Sequence, residues 1–503
     1  MRDDATTVKI KTARGEREVE AAMGANLLGV FRANDIPIAA GCGGRGTCGK
    51  CGVITGGVKK LACETKVEPD MRVEIENEEN SFAIVTDYAG GAAAAPPGEC
   101  QRPRVAIDVG TTTVVLQLID ASDGRVVGTR SFLNGQRIYG EDVVTRIKYA
   151  GEGGLDTLNR AIRGGLLSAF CALCADAGLD RGRPEYICVA GNTTMMYLLL
   201  GHRCDSLGAY PFEPEFPIRE RYTFSDVFGS DAFSCPVYLV PWVSAYVGGD
   251  ITAGRLACRA GPDETALLID MGTNGEMMLW SGDNIRCCST AAGPAFEGGG
   301  IECGTGSIPG AISKVGLADG KFVCETIGGA SPIGICGSGA LDASACMLRG
   351  GYMDESGRMN DPYFGDGVVI AEGAGGGKII FTQKDIREIQ LAKSAIRAGV
   401  EIMLKVSELS ADRIDTVYLA GGFGQKLCLE SAVEIGLIPE ALREKIRASG
   451  NSSLGGCVKI CRDMKMMDAA RALAKKAREI QLNTHPDFQD LFMEHMMFGQ
   501  EDE

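Results

Sequence analysis

The sequence predicts an α/β chain of two unlike parts, a small N-terminal β-grasp unit and a larger duplicated α/β domain. Three observations carry this. Four cysteines lie among glycines in residues 41–63, inside a short run of strand and helix patterns. Residues 79–103, low in bulky side chains and containing Ala-Ala-Ala-Ala-Pro-Pro-Gly, read as a linker. Beyond them one order of elements occurs twice: an apolar strand, Asp-x-Gly-Thr, then a second strand.

Residues 1–78 make the first unit. Val8-Lys-Ile10 and residues 16–19 alternate as a hairpin around Ala13-Arg14-Gly15. Leu27, Leu28 and Phe31 recur at helical spacing, and residues 51–54 and 71–75 supply closing strands. Between them stand Cys42, Cys48, Cys51 and Cys63, spaced C-x5-C-x2-C-x11-C. This lies close to the C-x4-C-x2-C…C with which plant-type ferredoxins hold a 2Fe–2S cluster. Gly41, Gly43, Gly44, Gly46 and Gly49 let backbone N–H groups approach such an anionic cluster. A zinc site wants paired C-x2-C knuckles, and only Cys48 and Cys51 form one. The same glycines imitate two nucleotide motifs. Cys51 stands where a phosphate-binding loop needs Ser or Thr, and Gly41-x-Gly43-x-x-Gly46 lacks the strand-then-helix setting of a dinucleotide fingerprint. The unit therefore reads as a β-grasp ferredoxin, with electron transfer as its function.

Composition narrows the rest. The 503 residues suffice for several domains, and a formal net charge of −15 argues against nucleic acid and anionic membrane as partners. The opening Met-Arg-Asp-Asp-Ala-Thr-Thr has no apolar run of the kind a secretion signal needs, so a cytoplasmic chain is expected. Its 20 cysteines then read as reduced thiols or metal ligands, with Cys171 and Cys174 on one helix face as buried core thiols and a second metal site as the alternative. Three histidines exclude chemistry built on several. The uncharged residues 232–249 are broken by Pro236 and Pro241 and read as a buried strand and turn, not a membrane span.

The two repeats are Val105-Ala-Ile-Asp-Val-Gly-Thr-Thr-Thr113 and Leu267-Leu-Ile-Asp-Met-Gly-Thr-Asn-Gly-Glu276. Each is answered later by a strand ending in a small-residue turn, Ile187-Cys-Val-Ala-Gly-Asn192 and Val417-Tyr-Leu-Ala-Gly-Gly422. This divides the remainder into a first half, 104–262, a second half, 263–480, and a tail, 481–503, with a cleft between the halves. A glycine turn lets backbone N–H groups and threonine hydroxyls wrap phosphate oxygens, and a carboxylate at the strand end can hold magnesium or orient water. Two such turns, with Ala420-Gly-Gly-Phe-Gly424 open to a base or ribose, point to ATP. The tail, with Phe488, Phe492, Met493, Met496, Met497 and Phe498, is expected to pack as a helix on its own domain, with a docking surface as the alternative.

The paired hairpins and the late Ala-Gly-Gly turn resemble the actin-like, ribonuclease H-like ATPases of the acetate kinase, sugar kinase, heat-shock chaperone and actin superfamily (ASKHA). Joined through a linker to a β-grasp ferredoxin, the whole is similar to the reductive activators of corrinoid proteins. The more specific pieces are residues 42–63, Ala190-Gly-Asn-Thr-Thr-Met195, Gly248-Gly-Asp250, Asp270-Met-Gly-Thr-Asn-Gly-Glu276 and Ala292-Gly-Pro-Ala-Phe-Glu-Gly-Gly299. The resemblance implies ATP-dependent transfer of one electron from a 2Fe–2S cluster to the cob(II)alamin of a methyl-carrying corrinoid protein, regenerating cob(I)alamin. It implies Cys42, Cys48, Cys51 and Cys63 as iron ligands. Asp108 with Thr111 and Thr112 would form one phosphate turn, and Asp270, Gly272, Thr273, Asn274 and Glu276 the other, with Mg2+ between carboxylates and nucleotide. Gly421 and Gly422 would lie against the adenosine. Glu297 is either a magnesium- or phosphate-side residue or a buried, hydrogen-bonded carboxylate. Asn192 and Asp250 are each either helix caps or ligands. No Asp-x-His-x-x-Gly corrinoid signature occurs, so the partner brings the cobalt. An upstream electron donor is implied as well, and a homodimer fits the family. Two other readings remain: an ATP-dependent donor to a radical dehydratase or reductase, and a non-catalytic redox-sensing ATP-binding module.

Overall fold

Alternation in the first residues does build a hairpin: β1 (Ala5–Thr12) pairs antiparallel with β2 (Gly15–Ala22). The structure is a computed structural model. It describes residues 5–12, 15–34, 36, 38, 44, 46, 51–75, 87–88, 100–179, 184–261, 263–374, 376–424 and 427–499. The helix Leu27–Ala33 follows, capped by Asn26. Then come β3 (Gly52–Thr55), β4 (Val58–Leu61) and β5 (Arg72–Ile75). The sheet order is β2-β1-β5-β3-β4, with β5 parallel to β1. The inward faces of its strands and Leu27, Leu28 and Phe31 of the helix close one small core.

The predicted duplication is visible as topology. In the first lobe β6 (Pro103–Val109), β7 (Thr113–Asp120) and β8 (Val126–Leu133) form an antiparallel meander. Next, β9 (Ile187–Gly191) and β10 (Val237–Leu239) add in parallel on the β6 side. The residues read as a buried strand in 232–249 thus include β10. The second lobe repeats the plan with β11 (Ala266–Met271), β12 (Gly275–Ser281) and β13 (Asn284–Thr290). Its insertion carries β14 (Ala311–Ala318), β15 (Lys321–Thr326) and β16 (Gly334–Ile335) in one small sheet, and β17 (Val368–Glu372) with β18 (Lys378–Phe381) in another. Parallel β19 (Thr416–Ala420) and β20 (Ile446–Gly450) complete the repeat, and β21 (Arg478–Glu479) extends the far edge.

Strands covered on both faces carry unbroken apolar runs, as residues 114–116 and 266–269 do. On one face of the first sheet lies the helix Leu155–Asp176, whose Leu158, Ile162, Leu166, Phe170 and Leu173 recur at helical period. The other face is covered by Ser452–Arg462, a helix from late in the chain, through Leu454, Cys457, Val458 and Cys461. That helix crosses Gly249–Ala257, which also sends Ile251 into the core of the second lobe. At the crossing Gly456 leaves no space for a Cβ against the Ala253 backbone. The lobes therefore share two crossed helices beneath the cleft.

Of the expected linker, residues 87–88 are anchored: the Asn451 N–H donates to the Asp87 carbonyl (2.9 Å), and Tyr88 rests on Gly455. The tail packs on its own domain. Its helix Phe488–Glu494 lies against the long helix Gln383–Val406, and Phe498 is buried. Cys174 is buried but Cys171 is exposed, so the buried-thiol expectation holds for one of the pair: residues three apart straddle the boundary of the apolar stripe. Among the described residues no helix is long and apolar enough to cross a membrane.

Candidate functional site

The repeated Asp-x-Gly-Thr turns meet across the cleft. The first joins β6 to β7, the second joins β11 to β12, and both point toward the short turn Ala295–Glu297. Glu297 Oε2 accepts from Thr273 Oγ1 at 3.0 Å and from Thr112 Oγ1 at 3.4 Å. One carboxylate thus spans the hydroxyls of both lobes. The hydrogen-bonded carboxylate expected of Glu297 is present, half-buried and facing the cleft. Burial pushes its carboxyl up, while Thr273 and the nearby Arg137 and Thr112 hold it down.

Around this bridge stand four more carboxylates. Asp108 ends β6 and is held by the cap of the crossing helix, its Oδ2 accepting from Asn451 Nδ2 (2.8 Å) and Oδ1 from Ser453 Oγ (2.7 Å). Desolvation raises it, and these two donors oppose the rise. Asp270 ends β11 and is pushed up to about 7 by burial, then by Asp250, Asp108 and Glu297. Glu276, on β12, is raised by burial and then by Asp250, Asp270 and Asp108, and its Oε1 finds no donor among the described residues. Asp250 is pushed up to about 7, by burial first and by Asp108. It is not the helix cap, a position held by Gly248; it sits in the first turn of Gly249–Ala257, with Oδ1 accepting its neighbour's N–H.

These carboxylates raise one another's proton affinity, and one oxygen still lacks a donor. Among the described residues no three acids, histidines or cysteines are placed to hold a metal ion by themselves, so a hard cation such as Mg2+ would need phosphate oxygens as well.

The rims are held from behind. Asn192 has both roles open to it: Oδ1 caps Thr193–Leu200 through the Met195 N–H (2.9 Å), and Nδ2 donates to Thr111 Oγ1 (3.0 Å). The Thr111 carbonyl accepts from Arg146 (2.6 Å), a fully buried guanidinium pulled down to about 9 by burial and then by Arg137. Asn134 donates to the Thr112 carbonyl from its N–H and to the Gly110 carbonyl from Nδ2, each at 2.9 Å. In the second turn the Gly272 N–H donates to the Asn274 carbonyl (3.2 Å). Gly421, at φ +86°, closes against this turn: a Cβ there would come within 3.0 Å of Asp270 Oδ1. It therefore stands at the Asp270 corner, while Gly422 is exposed.

Of the cysteine set, Cys51 and Cys63 converge, with Sγ atoms 3.3 Å apart and Cys51 buried. Cys42 and Cys48 lie outside the described residues. Two thiols this close suit a thiolate-bound cluster. Ser453, Asn134 and Arg146 had no local signal in the sequence. Asn451 left only a trace, as an Asn immediately before a helical pattern.

Comparison with known proteins places this geometry. Residues 264–503 match the C-terminal domain of RACo, the ASKHA domain, and residues 104–260 match the RACo middle region. The chain is 32% identical over 441 residues to the corrinoid activation enzyme RamQ of Eubacterium limosum, covering 80% of this chain and 72% of that protein. It is 27% identical over 424 residues to the [Co(II) methylated amine-specific corrinoid protein] reductase of Methanosarcina barkeri, covering 77% and 76%. A solved structure described as a reductive activator for corrinoid, iron–sulfur protein superposes over 99% of both chains, with TM-score 0.72 and 29% identity. The expected combination of ASKHA lobes behind a small N-terminal unit is the architecture of that structure.

Proposed function

The chain belongs to the RACo family of corrinoid activators, and from that premise we propose that it reduces a partner's cob(II)alamin to cob(I)alamin with the aid of ATP. The observation that carries the nucleotide half is Glu297, bridged by Thr112 of one lobe and Thr273 of the other. A carboxylate shared by two phosphate-type turns makes the cleft one site, sensitive to how the lobes stand.

Cys42, Cys48, Cys51 and Cys63 would hold a 2Fe–2S cluster, which supplies a one-electron carrier of low potential, near about −400 mV for the plant type. An upstream donor fills it. In the cleft, Thr111, Thr112, Thr273 and Asn274 would bind phosphate oxygens, and Asp108, Asp250, Asp270, Glu276 and Glu297 would neutralise Mg2+. Asn451 and Ser453 keep Asp108 aimed across the cleft, and Arg146 and Asn134 hold the first turn by its carbonyls. ATP acts by preferring one arrangement of the lobes and their partner over another, since a ligand shifts an equilibrium only by its differential affinity.

The test uses full-length protein purified without oxygen. About two irons and two labile sulfides per chain are expected. Asp108→Ala and Asp270→Ala should keep a reducible 2Fe–2S spectrum and lose about 10²–10³ in the rate of ATP-dependent cob(II) reduction. Wild-type rates in both variants would make the repeated turns scaffold only, and four irons or stoichiometric zinc would refute the cluster assignment.

A further inference from the structure

The N-terminal unit touches the first lobe at a place with its own line to the phosphate turn. Arg32, in the last turn of the helix Leu27–Ala33, donates to the Ile138 carbonyl from Nε (3.0 Å) and from Nη2 (2.7 Å). Its guanidinium also lies over two rings, 5.4 Å from the centre of Tyr139 and 5.9 Å from that of Tyr149. Those rings stack on each other at 5.1 Å. A guanidinium that forks onto one carbonyl and lies on a pair of tyrosines is a specific seat, which a lysine could not fill in the same way.

Each end of this contact leads somewhere. On the N-terminal side, Asn26 at the head of the same helix donates from Nδ2 to the Cys63 carbonyl (2.6 Å). Gly44 of the cysteine loop lies beside Arg32: a Cβ on it would stand 3.8 Å from both Arg32 Nη1 and Cys63 Cβ. On the other side, Ile138 and Tyr139 end a short 3-10 turn, Gly135–Tyr139. Asn134 caps that turn through the Gln136 N–H (3.0 Å) and also holds the Gly110 and Thr112 carbonyls. Arg137, within the turn, is close enough for its charge to bear on Glu297. Residues 134–139 thus hold the phosphate turn at one end and receive the cysteine-bearing unit at the other.

We propose that residues 134–139 form a nucleotide-responsive dock, in which seating of the N-terminal unit through Arg32 and binding of ATP in the cleft favour each other. The inference rests on the reading of the cleft as an ATP site. Its physical basis is preorganisation. With Arg32 seated, the turn is fixed at both ends, and Asn134 holds the Gly110–Thr112 backbone in the form that faces the phosphates. Linkage makes the effect reciprocal: whatever factor docking adds to ATP affinity, ATP adds to docking. ATP binding then holds the N-terminal unit on the first lobe, and loss of phosphate contacts after hydrolysis lets it leave for a partner.

The experiment compares full-length wild type, Arg32→Ala and Arg32→Lys by two measurements. One is ATP affinity in the presence of Mg2+; the other is amide hydrogen exchange in residues 27–33 and 134–149, with and without ATP. Arg32→Ala is expected to weaken ATP binding by about five- to tenfold, the lower part of the usual range for coupled sites. It should also lose an ATP-dependent protection of both segments that wild type shows. Arg32→Lys, which keeps the charge but cannot fork onto the Ile138 carbonyl, should show the same losses in part. It carries the test if the alanine variant loses its 2Fe–2S absorption. Unchanged ATP affinity in a variant that retains the cluster would overturn the proposal, as would wild-type exchange in these segments that ignores ATP. A wild type that binds no ATP would overturn the nucleotide reading first, so the two failures are distinct.

Discussion

Asp108 illustrates how one carboxylate is tuned by residues far away in sequence. Burial raises its proton affinity, and the donors Ser453 and Asn451 bring part of that rise back. Replacing Ser453 with Ala removes a hydrogen bond to the charged form and so lifts Asp108 further. If the ionised form is required, the acid limb of the ATPase pH profile moves to higher pH, while the rate on the plateau changes little. A plateau loss with an unmoved limb would show that Ser453 acts otherwise. At this scale, the residues that sit in the repeated turns are legible in the sequence, because Asp-x-Gly-Thr is a local pattern with a local cause. Asn451 and Ser453, 343 and 345 positions from Asp108, are not. Their approach depends on the crossing of two helices, which no spacing encodes. Asp250 and Glu297 fall between these cases: each stands out as a carboxylate among small residues, but their place in the cleft is a tertiary fact.

Among elements, the tail shows what a buried charge does to a helix contact. Lys393, in the middle of Gln383–Val406, donates from Nζ to the His495 carbonyl (2.5 Å) and to the Met497 carbonyl (2.6 Å). Ser394 Oγ also donates to the His495 carbonyl (2.6 Å), and Gln390 Nε2 to the Met496 carbonyl (2.5 Å). Burial first, then Arg397, pulls Lys393 down to about 7 from its ordinary 10.5. Between these values the folded chain binds fewer protons at this site than the unfolded one. Its contribution to stability therefore grows with pH, by up to about 1.4 kcal/mol per unit. Lys393→Met should lower the slope of stability against pH, measured by denaturant unfolding between pH 7 and 9, relative to wild type; the thiols, which titrate at about 8.5 in the unfolded chain, contribute the same opposing slope to both proteins. Parallel slopes for wild type and variant would mean that the ammonium stays charged in the fold. Elements with a strong period are legible in the residue pattern alone: the β1–β2 hairpin, the helix Leu27–Ala33, β6, β7, β11 and β12. The third strands of the meanders, β8 and β13, are not. β8 reads Val-Val-Gly-Thr-Arg-Ser-Phe-Leu, without clean alternation, and is held in place by pairing along β7.

At the scale of the whole molecule, duplication is legible because each lobe repeats the same order of strands and turns. The exchange of helices between lobes is not. Ser452–Arg462 is an ordinary amphipathic pattern, and its Cys457 meets the Ile107 carbonyl, 350 residues back, beside Cys188. That exchange brings carboxylates from both lobes into one cleft, where five acids, Glu276 buried and the other four half-buried, have no paired cation among the described residues. Such an arrangement costs stability, a cost that on the proposed reading bound Mg-ATP offsets. Asp250→Asn removes one of these charges while keeping a side-chain oxygen for the Ile251 N–H. In EDTA at pH 8 the variant should be more stable than wild type by about 1–3 kcal/mol, since each unit of raised proton affinity corresponds to about 1.4 kcal/mol of strain in the charged form and part of it is screened. Adding Mg2+ and ATP should reverse the order: wild type gains the binding energy as stability and the variant gains less. ATP-dependent turnover should fall in the same variant. Thermal unfolding of both proteins with and without Mg-ATP checks the crossing of the two orders. A variant that is less stable than wild type in EDTA would mean that the acids of the cleft are already neutralised within the protein, and that no cation is needed to join the lobes.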